Sequence, residues 1–364
     1  MERMPVLGTK MKLILDTFCE VHDLLKPYMH DEFWDFDQHT IVPGGVYLFG
    51  RQQFQEHRAR ICELAEAGTI HPIISNPHEG SDTLRRHCNV WGVVDLIRQH
   101  KILVIGGGAM DDSWPCLHYD SFLPKILDYD ENIAAQSRCN EIYTKHNKPY
   151  KFLFLNGRER LHRRAMIQAL DPVLDQAIWS NLDSGNGPVH YLDSKYEFDF
   201  YQDQIGVPGT VGYVKTSLFK GDWGEIYLKA EPYIDTYFSV VPETVFDYPH
   251  SFRTEKIWKP LVMGHPWIAV ANQGYLRDMH NLGFRTFGHL FDERYDSIEN
   301  SQDRLTRMSQ VILDLCQQDL DAFVTAAEET CKYNQQHYAA MRLSVRQEFP
   351  QRFFAFLKQY NFNE

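Results

Sequence analysis

Short apolar runs alternate with amphipathic stretches along the first 145 residues of the chain. Residues 46–50, 72–75 and 102–105 are apolar runs of strand length, whereas residues 54–67 and 82–100 carry apolar side chains at helical spacing. Strands that alternate with helices are typical of a parallel sheet covered on both faces. We therefore expect an α/β domain whose ligand-facing loops follow the carboxyl ends of the strands.

The alternation resumes after a polar stretch at residues 143–148. A buried strand, a basic loop, a helix and then further strands and helices are predicted at residues 150–155, 156–164, 165–170 and 226–291. The last part of the chain has helical apolar spacing, for example at Leu305, Met308 and Ile312. The predicted class is therefore α/β, with Rossmann-like domains at residues 1–148 and 149–302 and a helical C-terminal tail at residues 303–364.

Composition narrows the class of protein. The chain has 364 residues, enough for two domain cores, and its net charge of -12 argues against a large nucleic-acid interface. Its seven cysteines are scattered without a CxxC pair, as in reduced cytosolic proteins. No run reaches the roughly 18 apolar residues that span a bilayer, and no signal peptide is indicated. We expect a cytoplasmic protein without stable membrane insertion.

The predicted loop at residues 156–164 is strongly basic. It contains Arg158, Arg160, His162 and Arg163, followed by Arg164 at the start of the predicted helix. Guanidinium groups match phosphate oxygens with fork-shaped donors, and basic side chains at a helix N-terminus oppose the helix dipole. This loop therefore predicts an anionic ligand.

A second cluster of polar residues follows another predicted strand. Glu243 comes after an apolar run, and Thr254, Glu255 and Lys256 open an apolar helix, with Thr254 as its predicted N-cap. A carboxylate accepts sugar or ribose hydroxyls, while a lysine and free backbone N–H groups at a helix N-terminus bind phosphates. The cluster is typical of a site for a sugar diphosphate.

The first domain offers candidates for a catalytic base. Glu79 and Asp111 follow predicted strands, where a carboxylate that takes a proton from an acceptor hydroxyl is expected. Asp-x-Asp patterns begin at Asp35, Asp128 and Asp319, but none lies at a strand end before a glycine loop. We expect neither a metal nor another cofactor, since lysine and arginine can neutralise a diphosphate leaving group.

Two of these segments resemble a known family. Glu243 with the later triplet TEK resembles the donor motif of the α-1,3-fucosyltransferase family, in which Glu-Asn-Ser leads into Asp-Tyr-x-Thr-Glu-Lys. The segment LFLNGRERLHRR resembles the opening of the second domain in fucosyltransferase-like proteins of bacteria and large phages, with its pattern Asn-x-Arg-x-Arg-x-His-Arg. The resemblance covers residues 150–300. Here Thr244-Val245 and Phe252-Arg253 depart from the family pattern, and the two glutamates are further apart.

The resemblance implies a GT-B architecture of two facing Rossmann-like domains, with the C-terminal helices packing back across the domain junction. It implies that Glu255 contacts the donor sugar or ribose, that Lys256 and an arginine of residues 158–163 contact the diphosphate, and that Glu243 lies near the donor. The expected partner is a UDP- or GDP-sugar. The acceptor, a glycan, a protein or a DNA base, stays open, as does inversion or retention of configuration.

Two other functions are compatible with an α/β chain. The first is a non-catalytic nucleotide- or sugar-binding module that keeps the donor site without the base. The second is a Rossmann dehydrogenase, which is disfavoured because Gly106-Gly107-Gly108 is not a GxGxxG motif opening a helix. The sequence therefore predicts a metal-independent glycosyltransferase.

Overall fold

The chain forms two compact α/β units. The computed structural model describes residues 11–17, 19, 21–108, 114–158, 160–183, 226 and 228–362. Residues 1–121 together with 343–364 make up the first unit, and residues 122–342 make up the second. In the part of the chain so described, we find no helix with both the length and the apolar character needed to cross a bilayer.

One sheet organises the first unit. Its described strands, all parallel to their neighbours, are β1 Leu13–Asp16, β2 Asp31–Phe33, β3 Gly45–Gly50, β4 Ile70–Asn76, β5 Leu103–Gly106 and β6 Cys116–His118. Their order is β2-β1-β3-β4-β5-β6. Every residue of β1, β3 and β5 is buried. This is the pattern of a parallel sheet that is covered on both faces.

Helices connect these strands. They are His22–Leu25, Lys26–Tyr28 (a 3-10 helix), Arg51–Glu56, Arg58–Glu66, Ser81–Trp91 and Val94–Arg98. The helix predicted at residues 54–67 is divided at His57, and the one predicted at residues 82–100 ends at Gly92. Gly92 has a positive φ of 71° and caps the helix in the left-handed conformation that glycine adopts without a Cβ penalty.

Two apolar clusters form the core of the first unit. One includes Phe36, Phe49 and Leu84. The other joins Leu15 and Leu48 to the C-terminal segment through four phenylalanines, Phe349, Phe353, Phe356 and Phe362. The last residues of the chain therefore complete a core that its first hundred residues begin.

A second parallel sheet organises the other unit. Its described strands are β7 Phe152–Arg158, β8 Ala177–Asp183, β9 Phe238–Pro242 and β10 Trp267–Val270, in the order β10-β9-β7-β8. The described helices that start in this unit are Phe122–Lys125, Ile126–Asp128 (3-10), Asp130–Ser137, Glu141–Thr144, Leu161–Leu170, Asp171–Gln176 (3-10), Glu231–Ile234, Glu255–Met263, Tyr275–Asn281, Arg294–Ser297 (3-10), Ser301–Leu315 and Leu320–Gln359. The last helix continues into residues assigned to the first unit.

These parallel sheets confirm the predicted α/β class. The helical tail is also observed, as Ser301–Leu315 and Leu320–Gln359. One prediction of local structure was wrong. Most of residues 156–164 is not loop, because β7 continues to Arg158 and the next helix already begins at Leu161. The polar stretch 143–148, expected at a domain boundary, lies within the second unit.

Candidate functional site

Two neighbouring strands bring the predicted polar clusters to one edge of the second sheet. β7 and β9 pair in parallel, with Phe152 opposite Phe238 and Leu153 opposite Ser239. Glu243 directly follows β9, and the helix Leu161–Leu170 follows β7. Since the carboxyl ends of parallel strands meet at one edge, residues far apart in the chain become neighbours there.

Glu243 is the buried centre of this site. Its side chain is fully enclosed. Oε1 accepts hydrogen bonds from Thr254 N (3.1 Å) and the Tyr275 hydroxyl (3.0 Å), and Oε2 accepts one from the Thr254 hydroxyl (2.7 Å). Burial raises the pKa of Glu243, although the Lys256 charge and the bonds from Thr254 oppose the shift. The carboxyl group therefore ties three segments of the chain together.

Thr254 links Glu243 to the next helix. It is the N-cap of Glu255–Met263, as predicted, since its hydroxyl oxygen accepts from Lys256 N (3.4 Å). The Lys256 ammonium group donates to the same hydroxyl oxygen (3.3 Å) and to Glu255 Oε1. The lysine and the first backbone N–H groups of the helix thus lie together at its positive end.

Glu255 is buried but charged. Only 6% of the residue is exposed, and burial alone would raise its pKa. The charges of Lys256 and Lys259 and the hydrogen bond from Lys256 outweigh burial, so the pKa of Glu255 is lowered. Glu255 is therefore an ionised acceptor at neutral pH.

His162 and Arg163 join the basic helix to the Glu243 loop. The His162 Nε2–H donates to the Glu243 carbonyl (2.9 Å), and its ring stacks on Phe246 at 5.1 Å. An Arg163 NH2 group donates to the carbonyls of Pro242 (3.0 Å) and Glu243 (3.2 Å). These hydrogen bonds hold the backbone of Pro242 and Glu243 in place.

Burial also shifts the titration of both groups. It lowers the pKa of His162 to about 4, helped by the positive charge of Arg163. It lowers the pKa of Arg163 to about 10, with the Glu255 carboxylate acting in the opposite direction. At pH 7 His162 is therefore neutral, whereas Arg163 keeps its charge behind the site.

The other predicted basic residues lie around this helix start. Arg158 ends β7, and Arg160 and Arg164 are exposed. Nearby in sequence, Asn156 is fully buried, and in the described part of the chain neither polar atom of its side chain has a hydrogen-bond partner. A buried amide without partners is uncommon in folded proteins.

Sequence reasoning missed Tyr275. Tyr275 opens a helix after Gly274, whose φ of +76° makes the turn beyond β10. β10 pairs with β9, so this turn also lies at the carboxyl edge near Glu243. The sequence has an apolar run at residues 267–271 and a glycine at position 274, but nothing in it indicated that the Tyr275 hydroxyl group would reach the carboxylate.

The two candidate bases belong to the first unit. Glu79 lies just beyond β4, where its side chain is about one third exposed and its Oε1 lies 3.7 Å from Arg51 NH1. Asp111 lies outside the described residues. The donor candidates all belong to the second unit, so their relation to Glu79 stays a prediction.

A cavity of about 420 Å³ in the second unit shares no lining residue with this site. Its charged walls are paired internally: Arg138 Nε donates to Glu141 (2.7 Å), and Lys145 contacts Asp235. We assign it no part in ligand binding, because charges that already have partners gain less from a new one.

Comparisons with known proteins give a structural likeness but no sequence match. No protein-family model matches the chain, and no curated protein matches its sequence. Among solved structures, an alpha-1,3-fucosyltransferase is similar with a TM-score of 0.40 and 9% identity, over 93% of this chain and 94% of that chain. Membership of that family stays a prediction.

Proposed function

We propose that this protein is a glycosyltransferase that moves a sugar from a UDP- or GDP-sugar to an acceptor hydroxyl. One observation carries the proposal. A buried carboxylate cluster after β9 and a basic helix start after β7 lie at one sheet edge and are joined by the hydrogen bonds of His162 and Arg163. Ligands of parallel α/β sheets bind at such edges.

The diphosphate would bind at the N-terminus of the Glu255–Met263 helix. The first N–H groups of a helix lack intrahelical partners and favour anions. The Lys256 ammonium group lies at the same place, with about one fifth of its side chain exposed. Arg160, which is exposed, adds a further positive charge. These charges would stabilise the departing nucleoside diphosphate without a metal ion.

The two glutamates would have different tasks. Glu255 is ionised and would accept hydrogen bonds from the hydroxyls of the donor sugar or ribose. Glu243 is enclosed by Thr254 and Tyr275, so it would position the N-cap rather than touch the ligand. Transfer also needs a base for the acceptor hydroxyl, and Glu79 and Asp111 are our candidates.

A thermal-shift screen tests the donor site. We expect one of UDP, GDP, CDP or dTDP, or a corresponding sugar nucleotide, to raise the melting temperature, since ligands that bind the native state stabilise it. Lys256→Ala should abolish the shift. Lys332→Ala should keep the shift, because Lys332 pairs with Glu328 within the helix Leu320–Gln359 and is not part of the proposed donor site. If no nucleotide shifts the wild type, or Lys256→Ala shifts as much as wild type, the donor site is wrong.

A second measurement separates an enzyme from a binding module. With the nucleotide identified, Glu79→Gln or Asp111→Asn should remove sugar transfer and hydrolysis while leaving the thermal shift unchanged. Retained turnover in both variants would reject both bases. Nucleotide binding without any turnover by the wild type, over glycan, protein and DNA acceptors, would favour the non-catalytic module.

A further inference from the structure

A second polar cluster lies in the first unit, around the segment Asp35-Phe36-Asp37. Phe36 is fully buried and packs edge-to-face on Phe49 at 4.9 Å. Asp35 Oδ1 accepts from Asp37 N (2.9 Å), and its Oδ2 accepts from Gln38 Nε2 (2.8 Å). The buried ring and these bonds fix the turn, so both aspartates are held in defined positions beside the core.

His57 faces this turn from the break between two helices. Only 8% of the residue is exposed. Its Nε2 lies 3.2 Å from Gln53 Oε1, an oxygen that can only accept. The proton of the neutral ring therefore belongs on Nε2, which leaves the Nδ1 lone pair free to bind a cation. Such outer contacts commonly orient histidine ligands of metals.

Nδ1 of His57 faces Asp37, whereas Asp35 Oδ1 lies 3.9 Å from the other ring nitrogen, Nε2. Nδ1 lies 3.1 Å from Asp37 Oδ2, and yet within the described residues it has no hydrogen-bond partner. If His57 were protonated and paired with this carboxylate, its Nδ1–H would donate a hydrogen bond to Asp37 Oδ2. The described residues show no such bond. An electron-rich nitrogen beside an electron-rich oxygen is unfavourable unless a positive centre lies between them.

The spacing fits a shared metal ion. Two ligand atoms about 2.1 Å from one ion, at angles of about 90–109°, lie about 3.0–3.4 Å apart and off each other's axes. The separation of His57 Nδ1 and Asp37 Oδ2 is within this range. One ligand atom each from Asp35, Asp37 and His57 lie within 4.8 Å of one another.

The charge balance also favours a cation. Arg60 is a nearby positive group. Its NH1 donates to the Phe36 carbonyl (2.6 Å) and lies 3.6 Å from Oδ1 of Asp37, not from the oxygen that faces His57. The carboxylates of Asp35 and Asp37 carry two negative charges and the Arg60 guanidinium carries one positive charge, so one negative charge is not balanced by Arg60. Oδ2 of Asp37 and Nδ1 of His57 thus remain available to the same ion.

We propose that Asp35, Asp37 and His57 bind a divalent transition-metal cation in the first unit. One imidazole and two carboxylates suit Zn²⁺ and leave further coordination positions to water. The site is separate from the proposed donor cluster, which belongs to the second unit, and does not depend on that function. It revises the expectation that no metal binds.

Calorimetric titration of the chelator-treated full chain with Zn²⁺ tests the proposal. We expect the wild type to bind one equivalent at this site and Asp37→Asn to bind it at least tenfold more weakly. Asp37 is exposed, so this substitution should leave the fold intact. Asp130→Asn is the matched control, because Asp130 is also an exposed aspartate of an Asp-x-Asp pattern and should bind as wild type does.

Melting curves add a second readout, and the comparison of variants separates this site from Zn²⁺ bound by the seven free cysteines. Zn²⁺ should raise the melting temperature of wild type and Asp130→Asn, and do so far less for Asp37→Asn. An unchanged isotherm and shift in Asp37→Asn, or no Zn²⁺ binding by the wild type, would overturn the proposal. If Asp37→Asn differs from wild type only by a lower melting temperature in metal-free buffer, His57 and Asp37 form an ion pair and the proposed metal site is wrong.

Discussion

Two buried asparagines in the second unit differ in how their side chains are satisfied. Asn132 Nδ2 donates to the carbonyls of Ile126 (2.6 Å) and Ile226 (2.9 Å), and its Oδ1 accepts from Leu228 N (2.8 Å). Asn156 has no such partner for either polar atom in the part of the structure described. A buried polar group without partners costs about 1–3 kcal/mol, so we expect the Asn156 side chain to reduce the free energy of unfolding.

We therefore expect opposite results from the same substitution at the two positions. Asn156→Leu should raise the free energy of unfolding by about 1 kcal/mol, because it removes unsatisfied polar atoms at nearly constant volume. Asn132→Leu should lower it by about 2–4 kcal/mol, since three backbone groups lose partners. Urea denaturation measures both. A loss for Asn156→Leu as large as for Asn132→Leu would show that Asn156 is satisfied.

His162 makes the second unit sensitive to acid. Its pKa is lowered by burial to about 4, below the value near 6.5 in an unfolded chain. The unfolded state therefore binds a proton at a pH where the native state does not. The contribution of His162 is fully present above pH 6.5 and is lost as the pH falls from 6.5 to about 4.

His162→Gln isolates this effect, because an amide N–H can still donate to the Glu243 carbonyl but does not titrate. From pH 7.5 to pH 4, wild type should lose about 3 kcal/mol of unfolding free energy relative to the variant, from a pKa shift of about 2.5. Denaturant titrations of both proteins across this range measure the difference. A constant difference would mean that His162 is not buried as a neutral group.

At the scale of elements, two glycines show what a helix end requires. Gly264 ends the helix Glu255–Met263 with φ +65°, and a Cβ there would lie 2.6 Å from Gln335. Gly68 follows the Arg58–Glu66 helix with φ +67°, but a Cβ there would meet nothing within 4 Å. Both positions disfavour alanine by backbone strain, and only the first also by a clash.

We expect Gly68→Ala to cost about 1 kcal/mol of unfolding free energy, from the left-handed conformation alone. Gly264→Ala should cost about 2–3 kcal/mol, since Gln335 would also move away from the Val262 carbonyl that it now binds at 2.8 Å. Urea unfolding of the two variants measures the difference. Equal losses would indicate that Gln335 adjusts without losing its bond.

Sequence patterns predicted the local elements better than the contacts between those elements. The Thr254 N-cap was predicted because it depends on neighbours in the chain. The strand limits of β7 were not, since parallel pairing with β8, with Asn156 opposite Asn181 and Arg158 opposite Asp183, extends the strand to Arg158. The contact of Tyr275 with Glu243 depends on strand order, which periodicity does not encode. Whether the cluster binds a donor stays a prediction.

At the scale of the whole molecule, the first unit is built from two parts of the chain that are far apart in sequence. The tail was predicted as helices packing back, but apolar spacing cannot tell which sheet receives them. Residues 343–364 belong to the first unit. Phe349 contacts Tyr119 at 4.7 Å between ring centroids, and Phe362 contacts His71 at the same distance. The first unit therefore acquires part of its core only when the last residues of the chain are present.

Phe353→Ala tests this dependence. Phe353 is fully buried in the cluster that contains Leu15 and Leu48, so its loss should lower the free energy of unfolding by about 3–5 kcal/mol. Hydrogen exchange should accelerate in β1 and β3, more than a hundred residues before the substitution in sequence. Leu343→Ala is the control, because Leu343 is 54% exposed and its truncation should change stability by less than about 0.5 kcal/mol. Unchanged protection of β1 in Phe353→Ala would mean that the first sheet holds its core without the C-terminal helix.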